Sequence, residues 1–241
     1  MSPAVTGARR WAGWLAELRR LAVGSGWVPA SGYAMARLLE RISLGRARLI
    51  AYRFVAQPVP AARDGAPDGS SMSDEFRWIE GGDALLAQLP RPPTVIERRL
   101  QSGARCLAAV RRGQLVGCLW YKAGEYMEDE VRCRFRFDPQ LAVWDFDVWI
   151  HPDYRLGRLF VRLWDQAHRE MSRHGWRWSL SRINSFNFAS LAAHHRLGAR
   201  RVGGALFFVA GRLQLTLASL APYVHISLRA DRYPTLILRI D

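Results

Sequence analysis

Apolar positions along this chain recur at two periods, and the switches between them mark out its elements. Trp11, Trp14, Leu15, Leu18 and Leu21 fall at helical spacing, with Arg9, Arg10, Glu17 and Arg20 elsewhere on the wheel. Gly24, Gly26 and Pro29 interrupt that run, and Met35, Leu38, Leu39 and Ile42 repeat it beside Arg37 and Arg41. Residues 48–59 (RLIAYRFVAQPV) read as a first strand. The stretch 60–75, with Pro60, Gly65, Pro67, Gly69 and paired serines, reads as a loop. Residues 83–89 and 94–102 have helical patterning. Strands over 106–110 and 115–121 are joined by Arg111-Arg112-Gly113-Gln114, a hairpin turn. A further strand pair falls at 131–137 and 143–150. A polar turn follows from His151 to Arg155, then a helix over 157–173. The chain continues with a strand at 176–183, a helix over 187–199, and strands near 201–209 and 213–218. The tail from Pro222 adds one or two short strands.

Strands come first without helices between them and are interleaved with helices later. That order predicts an α+β fold with a mixed, mostly antiparallel sheet flanked by helices. There is no internal repeat. The pattern divides the chain into a basic amphipathic helical extension (1–46), a main domain (47–220) and a C-terminal strand extension of that domain (221–241).

Composition changes this picture mainly through charge. Of 241 residues, 49% are hydrophobic and 23% charged, which is globular, but the net charge is +14. Of the 35 basic residues only Lys122 is lysine. Arginine is the better bidentate partner for phosphate and carboxylate, which points to anionic partners, although a genome biased toward arginine codons explains the preference equally well. Residues 1–53 hold nine arginines against Glu17 and Glu40, half the excess in the first fifth of the chain. Tryptophan and leucine on one helix face with arginine on the other suit an anionic membrane surface. A helix packed on its own domain would show the same periodicity. Cys106, Cys118 and Cys133 are too few and too scattered for a disulfide framework or a zinc site, so no metal is expected, and a reducing, cytoplasmic compartment is. Arginines interrupt every apolar run, so the chain is expected to be soluble or peripheral on the inner face of the membrane, not spanning it.

Two segments carry the candidate chemistry. In NFASLAAHHRLGA (187–199), Asn187 can accept from the first free N–H groups of a helix, and Gly198 can end that helix in the left-handed conformation. Small Ser190 and Ala193 allow close approach. His194 at +7 is expected on the face of Asn187 and Ser190. His195 points about 100° away and reads as structural. In VWIHPDYRLGRLFVRLWDQAH a strand ends at Ile150, a proline turn follows, and a basic stretch opens a long helix. Free N–H groups and a positive dipole end at such a turn are how proteins hold pyrophosphate. Arg155 and Arg158 add full charges, and His151 reads as a turn residue. On the preceding strand Asp145 and Asp147, two apart, are expected on one face, opposite Phe146, Val148 and Ile150. Two carboxylates there need either a cleft or arginine partners, for which Arg134 and Arg136 are the nearest candidates.

Taken together, the strand–turn–helix, the strand after it and the Asn-x-x-Ser helix ending in Leu197-Gly198 resemble the GCN5-related N-acetyltransferase (GNAT) superfamily over about 140–200. The strand order is compatible from 48 to 218. The resemblance implies an acyl-CoA-dependent N-acyltransferase working by direct amine attack on a thioester in a ternary complex. By it, Val148, Ile150, Arg155, Gly157, Arg158, Leu159, Phe160, Asn187 and Ser190 line the acyl-CoA, and His194 takes the acid position, commonly tyrosine. Asp147 is the preferred base, with Asp145 second. The usual turn, Arg/Gln-x-x-Gly-x-Gly/Ala, here has Arg158 for its first glycine and Phe160 for its second, and Ala199 stands where an aromatic is usual. Some bacterial members acylate lipid-like amines, ceramide synthases among them. Such an acceptor suits the Trp-rich arm and the aromatics Trp144, Trp149, Phe160 and Trp164. Two other readings stand beside this one. One is a catalytically silent ligand- or partner-binding protein of the same fold. The other is a basic nucleic-acid-binding module, which the lack of a groove-reading motif disfavours.

Overall fold

A computed structural model describes residues 27–61, 74–155 and 157–240. The expected helix at 11–21 lies outside them. Helix α1 (Trp27–Ile42) contains the second amphipathic run. Pro29, expected to break helical structure, sits in its first turn, where a missing N–H forfeits no helical bond. Leu39 is half-buried, but Met35, Leu38 and Ile42 are exposed. Tyr33 meets the Phe186 ring edge-on with centroids 5.6 Å apart.

The strands are β1 (Ala47–Pro58), β2 (Glu75–Ile79), β3 (Arg105–Arg111), β4 (Gln114–Ala123), β5 (Glu125–Met127), β6 (Arg134–Arg136), β7 (Ala142–Ile150), β8 (Trp178–Asn184), β9 (Arg200–Ala210), β10 (Leu213–Ala218), β11 (Val224–Ser227) and β12 (Thr235–Ile237). Among the described residues nine of them form one sheet in the order β11-β10-β9-β1-β8-β7-β4-β3-β2. The small sheet β12-β6-β5 lies beside it. Every pairing in the large sheet is antiparallel except β7 with β8. This is the mixed, mostly antiparallel α+β architecture that the pattern predicts.

Two placements differ from expectation. The first strand in sequence is central in space, because β1 pairs with β8 on one side and β9 on the other. Its run Phe54-Val55-Ala56-Gln57 is buried throughout, as a two-sided strand requires. The stretch 131–137 yields only the short β6, whose partner β5 was not anticipated, and β2 follows directly on the expected loop.

Helices α2 (Pro93–Gln101), α3 (Leu159–Arg173) and α4 (Phe188–Arg196) complete the layers. On one face, Leu159, Leu163, Trp164, Ala167 and Met171 of α3 pack on Leu107, Leu119, Tyr121 and Val143. On the other, Ile96 of α2 joins Cys106, Cys118 and Trp120, and the small sheet brings Phe135 and Leu236 against Phe54, Trp144 and Phe207. All three cysteines are free and buried.

Candidate active site

The site begins where two neighbouring strands part. The parallel ladder between β7 and β8 consists of Ala142–Trp178, Val143–Ser179 and Trp144–Leu180. Beyond Trp144 the strands are no longer paired, so β7 presents unladdered backbone to the space between them. On its other edge β7 stays paired with β4 through a bulge, with Trp120 opposite Phe146 and Cys118 opposite Trp149. Asp147 occupies the extra position at φ +54°, a conformation that aspartate tolerates better than a β-branched residue.

That bulge overturns the expected alternation. Asp145 faces the α3 side, opposite Tyr121 across the ladder. Asp147 turns to the α2 side, where Arg91 Nε donates to Oδ2 at 2.7 Å and Arg99 Nη1 also donates to Oδ2. Arg91 closes a second bond on Oδ1. Val148 and Ile150 pack in the α3-side core, whereas Phe146 packs on the opposite side with Trp120. The two carboxylates therefore do not share a face. Asp147 does have arginine partners, but Arg134 and Arg136 lie instead beside Glu125. Both oxygens of Asp147 already accept from guanidinium groups, which leaves it badly placed to take a proton from an amine.

Asp145 is different. It is buried, one residue past the last β7–β8 pair, and Ser179 Oγ donates to its Oδ2 at 2.7 Å. Burial pushes its carboxyl up to about 7, against the opposing pull of the Ser179 hydroxyl. A group poised there can both accept and return a proton near neutrality.

The turn expected to hold pyrophosphate begins at His151, whose Nδ1 accepts from Asp153 N–H at 3.4 Å, and leads past Arg155 to Arg158. Arg155 Nε donates to Ile150 O at 3.1 Å, which ties the turn to the end of β7. Gly157 N–H donates to Tyr154 O at 3.2 Å. Arg158 is the exposed N-cap of α3, and no side chain caps the helix. The 15-residue helix therefore starts without a side-chain cap beside Arg158, and the start of a helix favours an anion. Leu159 is buried, and Phe160 packs edge-on to Trp164, so what these two can offer a ligand is backbone.

Asn187 caps α4 as expected, its side chain accepting from Ser190 N–H at 3.1 Å. Asn187 is exposed and Ser190 half-buried, but His194 points into the core and His195 outward. His194 Nδ1 meets Gln57 Oε1 at 3.1 Å, and Gln57 Nε2 meets His168 Nε2 at 2.7 Å. With the Gln57 amide so oriented, it donates to His168 and accepts from His194 Nδ1–H, which leaves His194 Nε2 bare. Burial lowers both imidazoles to about 4, so both are neutral at pH 7. The Trp164 ring lies against each. Sequence reasoning missed Gln57, Ser179, Arg91 and Arg99. Each acts across a long sequence separation, and none belongs to a local motif. Among the described residues no cluster could hold a metal ion, and no helix is long and apolar enough to cross a membrane.

No protein-family model matches the sequence, and no curated protein matches it significantly. Solved structures do. A Drosophila protein is 13% identical with a TM-score of 0.47, the match covering 73% of this chain and 57% of that one. A protein from Novosphingobium aromaticivorans assigned to the GNAT acetyltransferase family is 16% identical with a TM-score of 0.46, covering 67% and 64%. AAC(6′)-Iy, solved with the bisubstrate analogue CoA-S-monomethyl-acetylneamine, is 17% identical with a TM-score of 0.40, covering 52% and 89%. This chain thus spans less than two thirds of the first two, and in each case the likeness is one of fold.

Proposed function

We propose that the protein transfers an acyl group from an acyl-CoA thioester to a primary amine by direct attack. The observation that carries this reading is the parting of β7 and β8 after Trp144–Leu180, with a proton-poised Asp145 at its apex. The amine nitrogen bonds to the thioester carbonyl carbon, and unladdered β7 N–H groups face the developing oxyanion. Asp145 takes the proton that the nitrogen sheds. The C–S bond then breaks, and Asp145 returns that proton to the departing thiolate, giving an amide and free CoA. Arg158, Arg155 and the start of α3 hold the pyrophosphate. Gln57, His168 and His194 fix α3 and α4 against β1, a positioning role in place of the acid role that the resemblance gives His194. A lipid-like amine at a membrane surface is the acceptor class we favour, because it suits the arginine-rich, tryptophan-rich chain.

Thermal shift with acetyl-, octanoyl- and palmitoyl-CoA tests the donor. Saturating donor should raise Tm by several degrees, since ligand at about 100 times Kd adds roughly 2.7 kcal/mol. Arg158→Glu should abolish the rise. No shift with any of the three would remove donor binding. The arginine and phenylalanine at the two glycine positions of the turn favour a second reading, a silent protein of this fold that binds ligand without turnover.

A further inference from the structure

The β9–β11 end of the large sheet is built inside out. Gln214, Thr216 and Ser227 are 1%, 0% and 0% exposed, whereas Leu217, Val224 and Ile226 are 42%, 60% and 62% exposed. The buried polar row is satisfied from within, since Gln214 accepts from Arg132 N–H and donates to Arg132 O and Thr216 Oγ1. The apolar row lies on the opposite face. Leu217 stands opposite Leu206 and Val224, and Leu215 opposite Phe208 and Ile226. Ladder partners share a face, so these six make one apolar surface three strands wide. Solvent alone gives no reason to keep polar residues in and leucine, valine and isoleucine out.

Charge selects the occupant. Beside Leu206 and Leu217 a depression of about 380 Å³ is lined by Arg53, Arg201, Phe186 and Ser219. Arg53 lies opposite Gly204, in line with the apolar rows, and Arg201 Nε donates to Gly203 O. Neither guanidinium has a carboxylate partner among the described residues. From Met171 to Ala230 the sequence contains eight arginines and not one aspartate or glutamate. A second copy of a chain with net charge +14 would be repelled from this face. An apolar surface edged by arginines that have no carboxylate partner among the described residues fits an anionic lipid surface, where alkyl side chains enter the headgroup boundary and guanidinium groups meet phosphate.

We propose that the β9–β11 face, with Arg53 and Arg201 at its margin, docks the protein on anionic membrane. This surface is separate from the β7–β8 parting, and its test reads binding alone, so it stands or falls independently of acyl transfer. The full chain is sedimented with phosphatidylcholine vesicles and with vesicles containing phosphatidylglycerol. Binding to the anionic vesicles only is expected. Arg53→Gln with Arg201→Gln should weaken it roughly 30-fold. Leu217→Ser with Ile226→Ser should weaken it as well and reduce its resistance to salt. All four sites lie at the surface or are half-buried, and an unchanged melting curve identifies folded variants. Wild-type binding by both folded variants would overturn the proposal, because the arginine-rich N-terminal arm would then suffice. A concentration-dependent dimer in sedimentation velocity that Ile226→Ser dissolves would overturn it too, since the face would then belong to a second copy.

Discussion

At the residue scale the decisive difference lies between Asp145 and Asp147. Asp145 is held by one serine in a buried position, and its carboxyl is raised from near 3.8 to about 7. A native pKa above the unfolded one means that the folded state binds the extra proton. The stabilisation is therefore fully present below about pH 4 and is lost as pH rises through 7. Asp145→Asn should flatten this fall between about pH 4 and 7, measured as Tm against pH, while turnover disappears. His168 and His194 act with the opposite sign. Their lowered values mean stability that is present above about 6.5 and lost as pH falls toward 4. Asp147→Ala should be costly for another reason. It strips a partner from Arg99, whose side chain is only 10% exposed and whose Nε already lacks one. Removing half of a buried pair costs about 3–5 kcal/mol, which urea unfolding would register.

At the element scale, what could be read from sequence depended on whether the signal was local. Helix α3, helix α4 with its Asn187 cap, and the β3–β4 hairpin announce themselves through apolar period, capping and turn residues. The bulge at Asp147 does not, because the alternation from Val143 to Ile150 looks continuous until one residue adopts positive φ. A single extra residue then moves one aspartate to the opposite face and hands it to Arg91 and Arg99. The central position of β1 was equally hidden, since ladder partners more than a hundred residues away leave no local trace. Close packing at this layer has a direct consequence. A Cβ on Gly117 of β4 would stand 2.9 Å from Ile150 Cδ1 and 3.3 Å from Trp149 O, just where β7 leaves its bulge. Gly117→Ala should cost about 1–3 kcal/mol in urea unfolding and weaken acyl-CoA binding by disturbing the end of β7.

At the scale of the whole molecule, the sequence foretold the α+β architecture and the basic character, but not how they combine. The middle of the sheet parts between β7 and β8 beside a buried aspartate, near a helix start flanked by arginine. The β9–β11 end turns leucine, valine and isoleucine outward beside Arg53 and Arg201, which have no carboxylate partner among the described residues. On the two proposals above, the donor is rich in phosphate and the acceptor comes from an apolar, anionic environment. The most direct measurement is mass spectrometry of products after incubation with mixed acyl-CoAs and a lipid extract, for the wild type and Asp145→Asn in parallel. The expected result is an amide formed in step with free CoA by the wild type, with the variant still binding acyl-CoA but forming no amide. Equal amide yield from Asp145→Asn, or release of CoA with no amide from the wild type, would contradict it.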